Sequence, residues 1–441
     1  MRRFFLCGLL LATACSQPDQ SAASPDQPGN GLGSSNASSK AAAFFAVEAH
    51  PGDKLAADGY WPQGRRFVYM GYSGKPADNL QQGFTVAGPV YGNQQPYLDQ
   101  CAAAGWPVVA HVSLHLNFVK GGDAAKYDEA QLRLDLAAQI ARLAPMRNIV
   151  WWAVSPEELR PWKKDEMRYL QIVSDSVRAL DPLKRPIYLY NPNHRDAATL
   201  KPIAPFVDIL AKGAYVNSAG YQDQRGWVRW SVEQELQAIR DSGASAQPLL
   251  MPELCKDPDP AGEALIRPWV RHDVYLGLCA GAKGVLIWSL FPRKEVKRTY
   301  AQWLAAYGDC GRELTGPRHL GEVFLYGRPR QDLKVTPLQV QQSDLILAGK
   351  GEENTASPEE LKRRKTAGSP FTSAEFSLAG HRYLFVVNST AASASFRIDD
   401  IPAGAHGEDA FTGMPIAVKT SYDLKLPPWG VWALKLSPGQ P

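Results

Sequence analysis

Short apolar runs alternate with longer amphipathic segments between residues 44 and 314. The apolar runs have the length and composition of buried strands. Eight of them are present, at residues 67–72, 83–88, 107–112, 149–154, 186–191, 207–215, 248–251 and 283–289. Eight parallel strands that alternate with helices are typical of a (β/α)8 TIM barrel. A doubly wound open sheet is the alternative, but no glycine-rich phosphate loop follows any of the runs.

The segments between these runs predict amphipathic helices. Residues 130–143 and 164–180 both place their apolar side chains on one helical face. A further helix is predicted to begin at Ser231, because this residue is a favourable N-cap and acidic residues follow it in the first turn. Two more helices are predicted at residues 263–280 and 299–307.

The pattern changes after residue 317, where apolar and polar positions alternate and turn residues separate the segments. Strands are predicted at residues 323–326, 344–347, 374–378, 382–387, 393–398, 416–419 and 431–436. Short alternating strands without helices predict an antiparallel β-sandwich. The charged segment 349–368 is predicted to be a loop, and a short helix is the alternative because residues 357–360 begin like a capped helical turn. The sequence therefore predicts a barrel domain at residues 44–316 and a sandwich domain at residues 317–441.

The first residues have the pattern of an export signal. Arg2 and Arg3 precede an apolar run at residues 4–11, and small residues then lead to Cys15. This pattern resembles a bacterial lipoprotein signal, which implies that Cys15 is lipidated and that the protein is anchored to the outer membrane. An ordinary signal peptide cut near Ala14 is the alternative. Residues 16–43 are polar and rich in Ser, Pro, Gln, Asp, Gly and Asn, which predicts a disordered tether.

Composition and charge narrow the possible partners. The chain of 441 residues is 45% hydrophobic and has a net charge of only +4, as an ordinary globular protein does. Its one dense basic cluster, at residues 362–365, is interpreted as a solvated loop, so no nucleic-acid partner is expected. No Cys/His cluster occurs, so neither a metal nor another cofactor is predicted. Four cysteines remain after residue 15, and the sequence does not choose among their three possible pairings.

Two carboxylates follow the ends of two predicted strands. Glu157 comes just after the fourth strand and Glu253 just after the seventh, and a proline precedes each of them. The carboxyl ends of barrel strands meet at one mouth, so the two acids can act on one substrate bond, as glycosidic cleavage requires. The structural alternatives are ion pairs, of Glu157 with Arg160 and of Glu253 with Lys256. Glu158 is a second candidate for the acid.

These strand ends resemble those of clan A glycoside hydrolases. The run from Trp152 to Glu157 is similar to the segment that delivers the acid/base in that clan, and Glu253 stands where the clan has its nucleophile. The resemblance implies a retaining hydrolase of a poly- or oligosaccharide. It also implies that Trp288 forms the floor of a sugar subsite and that Tyr215 donates to the nucleophile.

The C-terminal region carries the same resemblance. The motifs at residues 383–388, 411–413 and 426–431 are similar to the all-β domain that follows many such barrels. One position departs from the clan, which usually has an asparagine before the acid/base to contact the sugar 2-hydroxyl. Pro156 stands there in this chain, so another side chain must make the contact, or the sugar differs, or activity is weak.

Four further side chains are predicted to contact the substrate, because they stand at or after the carboxyl ends of predicted strands. They are Tyr72, His111, Asn193 and His194. The alternative for the histidines and Asn193 is ordinary core packing or turn chemistry. Two other functions stay open: a barrel that binds glycan without cleaving it, and an enzyme of another class, such as a lyase or a transglycosylase.

Overall fold

The computed structural model describes residues 40, 44–48, 65–76, 82–90, 92–113, 127–155, 157, 159–218, 224–346 and 365–438. Several sequence predictions lie outside the described residues. These are Cys15 with the signal peptide, nearly all of the tether, residues 349–364 of the charged loop, and the positions of Pro156 and Glu158.

Eight parallel strands close into a barrel, which confirms the predicted fold class. An antiparallel pair, β1 (Ala46–Glu48) and β2 (Arg65–Phe67), precedes it. The barrel strands are β3 (Tyr69–Gly71), β4 (Val86–Ala87), β5 (Val108–Ser113), β6 (Ile149–Ser155), β7 (Ile187–Asn191), β8 (Ile209–Ala214), β9 (Gln247–Pro252) and β10 (Val285–Ile287). They follow one another in chain order, and β10 closes the barrel against β3. Each strand falls within or beside one of the eight predicted apolar runs.

Helices connect the strands. They are α1 (Gln95–Ala103), α2 (Glu129–Leu143), α3 (Lys164–Leu180), α4 (Ala197–Leu200), α5 (Trp227–Ser242), α6 (Pro260–Glu263), α7 (Ile266–Cys279), α8 (Tyr300–Thr315) and α9 (Leu320–Tyr326). The predicted start of α5 at Ser231 is wrong, because the buried Trp227 and Val228 extend the helix by a turn. The predicted single helix at residues 263–280 is broken between Glu263 and Ile266.

Alternation along β6 shows how the strands build two apolar layers. Trp151 and Ala153 belong to the cluster that fills the barrel, whereas Trp152 and Val154 pack outward with the helices. The outward Trp152 donates its indole N–H to Asp181 at 2.9 Å. Side chains of a strand point alternately to its two faces, so a strand buried on both sides reads as one continuous apolar run.

The amino-terminal end of the barrel is covered by Phe44 and Phe45. The main-chain oxygen of Phe44 accepts a hydrogen bond from the Trp151 indole at 2.8 Å. The ring of Phe45 lies edge-on to that of Trp151, with 5.3 Å between their centroids. These contacts fill the end of the barrel opposite the carboxyl ends of the strands.

The C-terminal region forms antiparallel sheets, as predicted. The larger sheet contains β11 (Arg328–Arg330), β15 (Phe371–Leu378), β16 (His381–Asn388), β18 (His406–Asp409), β19 (Pro415–Ile416) and β21 (Val431–Ser437). A second sheet contains β12 (Lys334–Gln339), β17 (Ala394–Asp399) and β20 (Tyr422–Leu426), and a third contains β13 (Ser343–Ile346) and β14 (Lys365–Gly368). The two larger sheets share one apolar core, in which Leu384 and Leu434 meet Phe396 and Leu424.

The strand predicted at residues 323–326 is wrong, since these residues lie in α9. The helix buries Leu320, Val323 and Phe324, which are three and four residues apart. In a short apolar run, periodicity alone does not distinguish a helix from a strand. The helix packs between barrel and sheets: the Phe324 ring lies 4.7 Å from that of Phe385 on β16. Tyr275 of α7 stacks on the same Phe385 at 6.1 Å.

Two chemical features complete the fold. The four cysteines whose pairing the sequence left open, Cys101, Cys255, Cys279 and Cys310, are free thiols. Among the helices that the structure describes, none is long and apolar enough to cross a membrane.

Candidate active site

The two candidate carboxylates follow the carboxyl ends of β6 and β9. Glu157 is half-buried and comes two residues after Ser155, whose main-chain oxygen accepts from the Tyr169 hydroxyl at 2.5 Å. Arg160, the predicted ion-pair partner of Glu157, is bound through its Nε by Glu166 at 2.7 Å. The structure therefore gives Arg160 a carboxylate partner other than Glu157.

Glu253 is held at the mouth by main-chain groups. It directly follows β9 and forms a parallel bridge with Trp288, which comes directly after β10. Its Oε2 accepts from the Ser218 N–H at 2.8 Å, and its Oε1 accepts from the Asn217 N–H. The Tyr307 hydroxyl donates to its main-chain oxygen at 2.7 Å. The carboxylate is therefore fixed from both oxygens.

Burial decides the protonation of Glu253. Only 2% of its surface is exposed, and burial raises the pKa of its carboxyl group to about 7. The Arg225 charge and the N–H groups of Asn217 and Ser218 oppose this rise, while Asp273 adds to it. A buried carboxylate that changes charge near neutral pH, and that has two aligned donors, is typical of a catalytic group.

Tyr215 does not make the contact that the resemblance implies. Among the described residues, Asn217, Ser218 and the Cys255 thiol are the partners of the Glu253 carboxylate. Tyr215 instead stacks between Tyr190 at 6.2 Å and Trp288 at 5.2 Å, and burial raises the pKa of its hydroxyl well above the usual range. The donors to the Glu253 carboxylate are therefore the peptide N–H groups of Asn217 and Ser218, which follow Tyr215 in the chain, and not the tyrosine hydroxyl.

Trp288 is half-buried at the mouth, but its ring already has two neighbours. Tyr215 stacks on it with an interplanar angle of 24°, and the Arg293 guanidinium lies 4.2 Å from its centroid. Arg293 also lies 4.2 Å from the Phe291 ring and donates to the Ser289 hydroxyl. Tyr215 and Arg293 therefore restrict the space beside the Trp288 ring in which a sugar could stack.

His111 and Tyr72 form a buried pair on the inner face of the barrel. Nε2 of His111 lies 3.0 Å from the Tyr72 hydroxyl. The side chain of Gln94 bonds both the N–H and the C=O of His111, at 2.7 and 2.8 Å, which fixes the backbone. Burial lowers the pKa of His111 to about 4, although a main-chain contact with Val90 opposes the shift. The imidazole is therefore neutral at physiological pH.

The residues after β7 mainly hold the mouth together. Asn193 is half-buried and donates to the main-chain oxygen of Tyr215 at 3.2 Å. Asn191 is fully buried and donates to the Ala211 oxygen, while its own oxygen accepts from Arg195 at 2.9 Å. His194 is half-buried beside them. These contacts join the ends of β7 and β8 and leave the substrate roles of Asn193 and His194 as predictions.

The buried polar residues behind Glu253 are not among those predicted from the sequence. Arg225 is fully buried and forms a two-pronged ion pair with Asp273 of α7, with Nε to Oδ1 at 2.9 Å. Its Nη1 also donates to the Asn217 side chain at 3.1 Å. These residues lie on loops and on a helix, 8 to 48 positions apart, and form no local motif. Within the described ranges, no group of three or more acidic, His or Cys side chains could hold a metal ion.

Comparison with known proteins yields no relative by sequence: no family profile matches the chain, and no curated protein does. Solved structures do show similarity. An α-amylase from Anoxybacillus is 10% identical with a TM-score of 0.49, and 83% of this chain matches 90% of that one. An endoxylanase of glycoside hydrolase family 30 from Clostridium papyrosolvens is 12% identical with a TM-score of 0.45, over 89% and 98% of the two chains. An α-amylase from Geobacillus thermoleovorans is 9% identical with a TM-score of 0.46, over 82% and 91%.

Proposed function

We propose that the protein is a glycoside hydrolase with a retaining mechanism. The observation that carries the proposal is the Glu253 carboxylate, buried at the carboxyl end of a closed barrel and held by two peptide N–H groups. Glu157, at the end of β6, is the acid/base in this proposal. The substrate is a poly- or oligosaccharide. A retaining mechanism places the two carboxyl groups about 5–5.5 Å apart.

The two acids have different tasks. Glu157 gives a proton to the leaving oxygen while Glu253 attacks the anomeric carbon, forming a glycosyl ester as the bond to the leaving group breaks. Water then attacks that carbon, Glu157 takes its proton, and the Glu253 carboxylate is released. The peptide N–H groups of Asn217 and Ser218 orient the Glu253 oxygens before the attack.

Two variants test this assignment on a panel of aryl glycosides and polysaccharides. Glu253→Ala removes the nucleophile, so activity is lost, and added azide restores turnover with an inverted glycosyl azide product. Glu157→Ala spares the first step only for leaving groups that need no proton. Losing a catalytic group typically costs several kcal/mol of barrier, and each ~1.4 kcal/mol is a factor of ten. Losses below about tenfold from both changes refute the assignment.

A glycan-binding protein without hydrolytic activity is the second candidate. Pro156 favours it, since proline lacks the side-chain donor for the 2-hydroxyl. If the wild type binds polysaccharide without cleaving it, and Pro156→Asn creates hydrolysis of β-glycosides, this second function is correct. Unsaturated product ends instead identify a lyase.

We also propose that the protein is a lipoprotein of the outer membrane, with a barrel domain at residues 44–316 and a C-terminal domain at residues 317–441. The basic, apolar and small-residue pattern that ends at Cys15 supports the anchor. Cys15→Ser is expected to abolish labelling by radioactive palmitate and to leave the protein in a soluble or an uncleaved form. A wild-type protein that is soluble, with its mature end away from Cys15, contradicts the anchor.

A further inference from the structure

A continuous series of buried hydrogen bonds begins at Glu253. The peptide N–H of Asn217 binds Oε1 of Glu253, and the side-chain oxygen of Asn217 accepts from Arg225 at 3.1 Å. Asn217 is 3% exposed and follows the end of β8 closely. The position of its peptide N–H therefore depends on the bond that its side chain makes with Arg225.

Arg225 is in turn held by two side chains of α7, those of Asp273 and Trp269. Its guanidinium bonds Asp273 through Nε at 2.9 Å and through Nη2, and its carbon lies 4.7 Å from the Trp269 ring centroid. Both ends of this ion pair are buried. A bidentate ion pair fixes the plane of the guanidinium as well as its distance from the carboxylate. Asp273 therefore sets the direction in which Nη1 points.

The series continues into the C-terminal sheets. Nδ1 of His272 lies 2.8 Å from Oδ1 of Asp273, and its Nε2 lies 2.9 Å from the hydroxyl of Ser389, which follows β16. Burial lowers the pKa of His272, so the ring is neutral at physiological pH. A neutral imidazole has one N–H, and next to a carboxylate that proton belongs on Nδ1. The Ser389 hydroxyl then donates to Nε2 and fixes this tautomer.

We propose that Ser389 of the C-terminal sheets is a positioning residue for Glu253, acting through His272, Asp273, Arg225 and Asn217. The proposal rests on the proposed function, because it assigns the sheets a role in the reaction of the barrel. The sheets thereby complete the support of the nucleophile. The hydroxyl holds the His272 tautomer, and that tautomer keeps Asp273 aligned with Arg225.

The local charges fix the direction of the expected effect. Glu253 faces the Arg225 guanidinium, the Asp273 carboxylate, the Cys255 thiol and the Tyr307 hydroxyl. Arg225 and the two peptide N–H groups are the influences that hold the pKa of Glu253 down. Loosening Arg225 therefore raises this pKa. The carboxylate then forms only at higher pH. The acid-side limb of the pH–rate profile therefore shifts to higher pH.

The test is Ser389→Ala in the full chain. This substitution does not change the charge, and four residues of the hydrogen-bonded series separate Ser389 from Glu253. We expect kcat at pH 6 to fall roughly threefold to tenfold, as the loss of about 1 kcal/mol in one hydrogen bond implies, and to fall less at pH 8. KM is expected to stay within about twofold, because no substrate contact is removed. A higher apparent pKa on the acid side is the decisive readout.

Thr390→Ala is the matched control. Thr390 is buried in the same turn, where its hydroxyl bonds Asn388 at 2.9 Å and Ala392 at 3.0 Å. Among the described residues, the hydrogen-bond partners of the His272 ring are Asp273 and Ser389, not Thr390. Thr390→Ala is expected to lower thermal stability and leave the acid-side pKa in place. If Ser389→Ala lowers stability alone, or both variants move the pKa equally, the proposal is wrong.

A second variant and a second readout keep the test decisive. Asn217→Ala retains the peptide N–H but removes its link to Arg225, so it is expected to move the pKa in the same direction even if Ser389→Ala fails to fold. The pKa of Glu253 can also be measured without substrate, from the pH dependence of unfolding relative to Glu253→Gln. If no glycoside is hydrolysed, the proposed function fails, and this measurement still decides whether Ser389 acts on Glu253.

Discussion

The hydroxyl of Tyr72 lies 3.0 Å from Nε2 of His111, and both side chains are buried in the barrel. Because burial lowers the pKa of His111 to about 4, we expect no titration of its ring between pH 5 and pH 8. NMR of ring-labelled histidine can check this. Tyr72→Phe removes a partner from a buried nitrogen and is expected to cost about 1–3 kcal/mol of unfolding free energy. A His111 pKa near 6.5 would contradict this description of the pair.

The pH dependence of activity distinguishes the two possible roles of Glu253. A nucleophile must be ionised, so kcat/KM is expected to rise with pH and level off above about 7, the pKa of this carboxyl group. Below that value the rate falls about tenfold per pH unit. A general acid gives the opposite profile, with activity lost as pH rises through the same value. That profile would exchange the roles of Glu157 and Glu253.

Glu253 also makes stability depend on pH. Its folded-state pKa of about 7 lies above the ordinary value of 4.5, so the folded state binds more protons between these values. Stability is therefore expected to fall as pH rises from about 4.5 to 7, by roughly 3 kcal/mol at the ~1.4 kcal/mol of each pKa unit. Glu253→Gln cannot ionise, so its urea unfolding lacks this decline. Parallel curves for the two proteins would show that Glu253 is not the cause.

Lys212 is expected to act in the opposite sense. It is buried on β8, donates to Ser231 at 2.8 Å, and lies 4.3 Å from the Trp230 ring centroid. Burial lowers its pKa to about 7 from the ordinary 10.5, while Glu235 and Asp196 oppose the shift. The unfolded chain therefore binds more protons between these values, and this residue makes stability rise with pH there. Lys212→Met is expected to remove that rise. A variant whose unfolding follows the wild type from pH 7 to pH 9 would contradict it.

The barrel could be predicted because each of its strands is a local apolar run, and a strand that is covered on both faces leaves that pattern wherever it lies. The ends of β6 and β9 were predicted for the same reason, and with them Glu157 and Glu253. Local sequence patterns predicted the helices less well where tertiary packing overrides the intrinsic helix or strand propensity. Trp227 extends α5 ahead of a good N-cap, and the residues of α9 were mistaken for a strand.

The support behind Glu253 could not be predicted, because its members meet only in the folded chain. Arg225 and Asp273 are 48 residues apart, and His272 and Ser389 are 117 apart. Each of these residues has an ordinary neighbourhood in the sequence. Arg225 resembles any basic residue before a helix, and Asp273 any polar position within one. Their roles depend on burial. The spacing of apolar residues does not show whether a single polar residue is buried.

The packing of Tyr275 and Phe324 against Phe385 has a consequence for how the chain unfolds. These rings belong to α7, α9 and β16, so the barrel and the C-terminal sheets share a buried cluster of aromatic rings. A chain cut between the two parts would expose large apolar faces on both fragments, which favours aggregation. Calorimetry is therefore expected to show a single cooperative transition, with equal van't Hoff and calorimetric enthalpies. Recombination with an unrelated β-domain would preserve solubility only if that domain presents rings of matching shape.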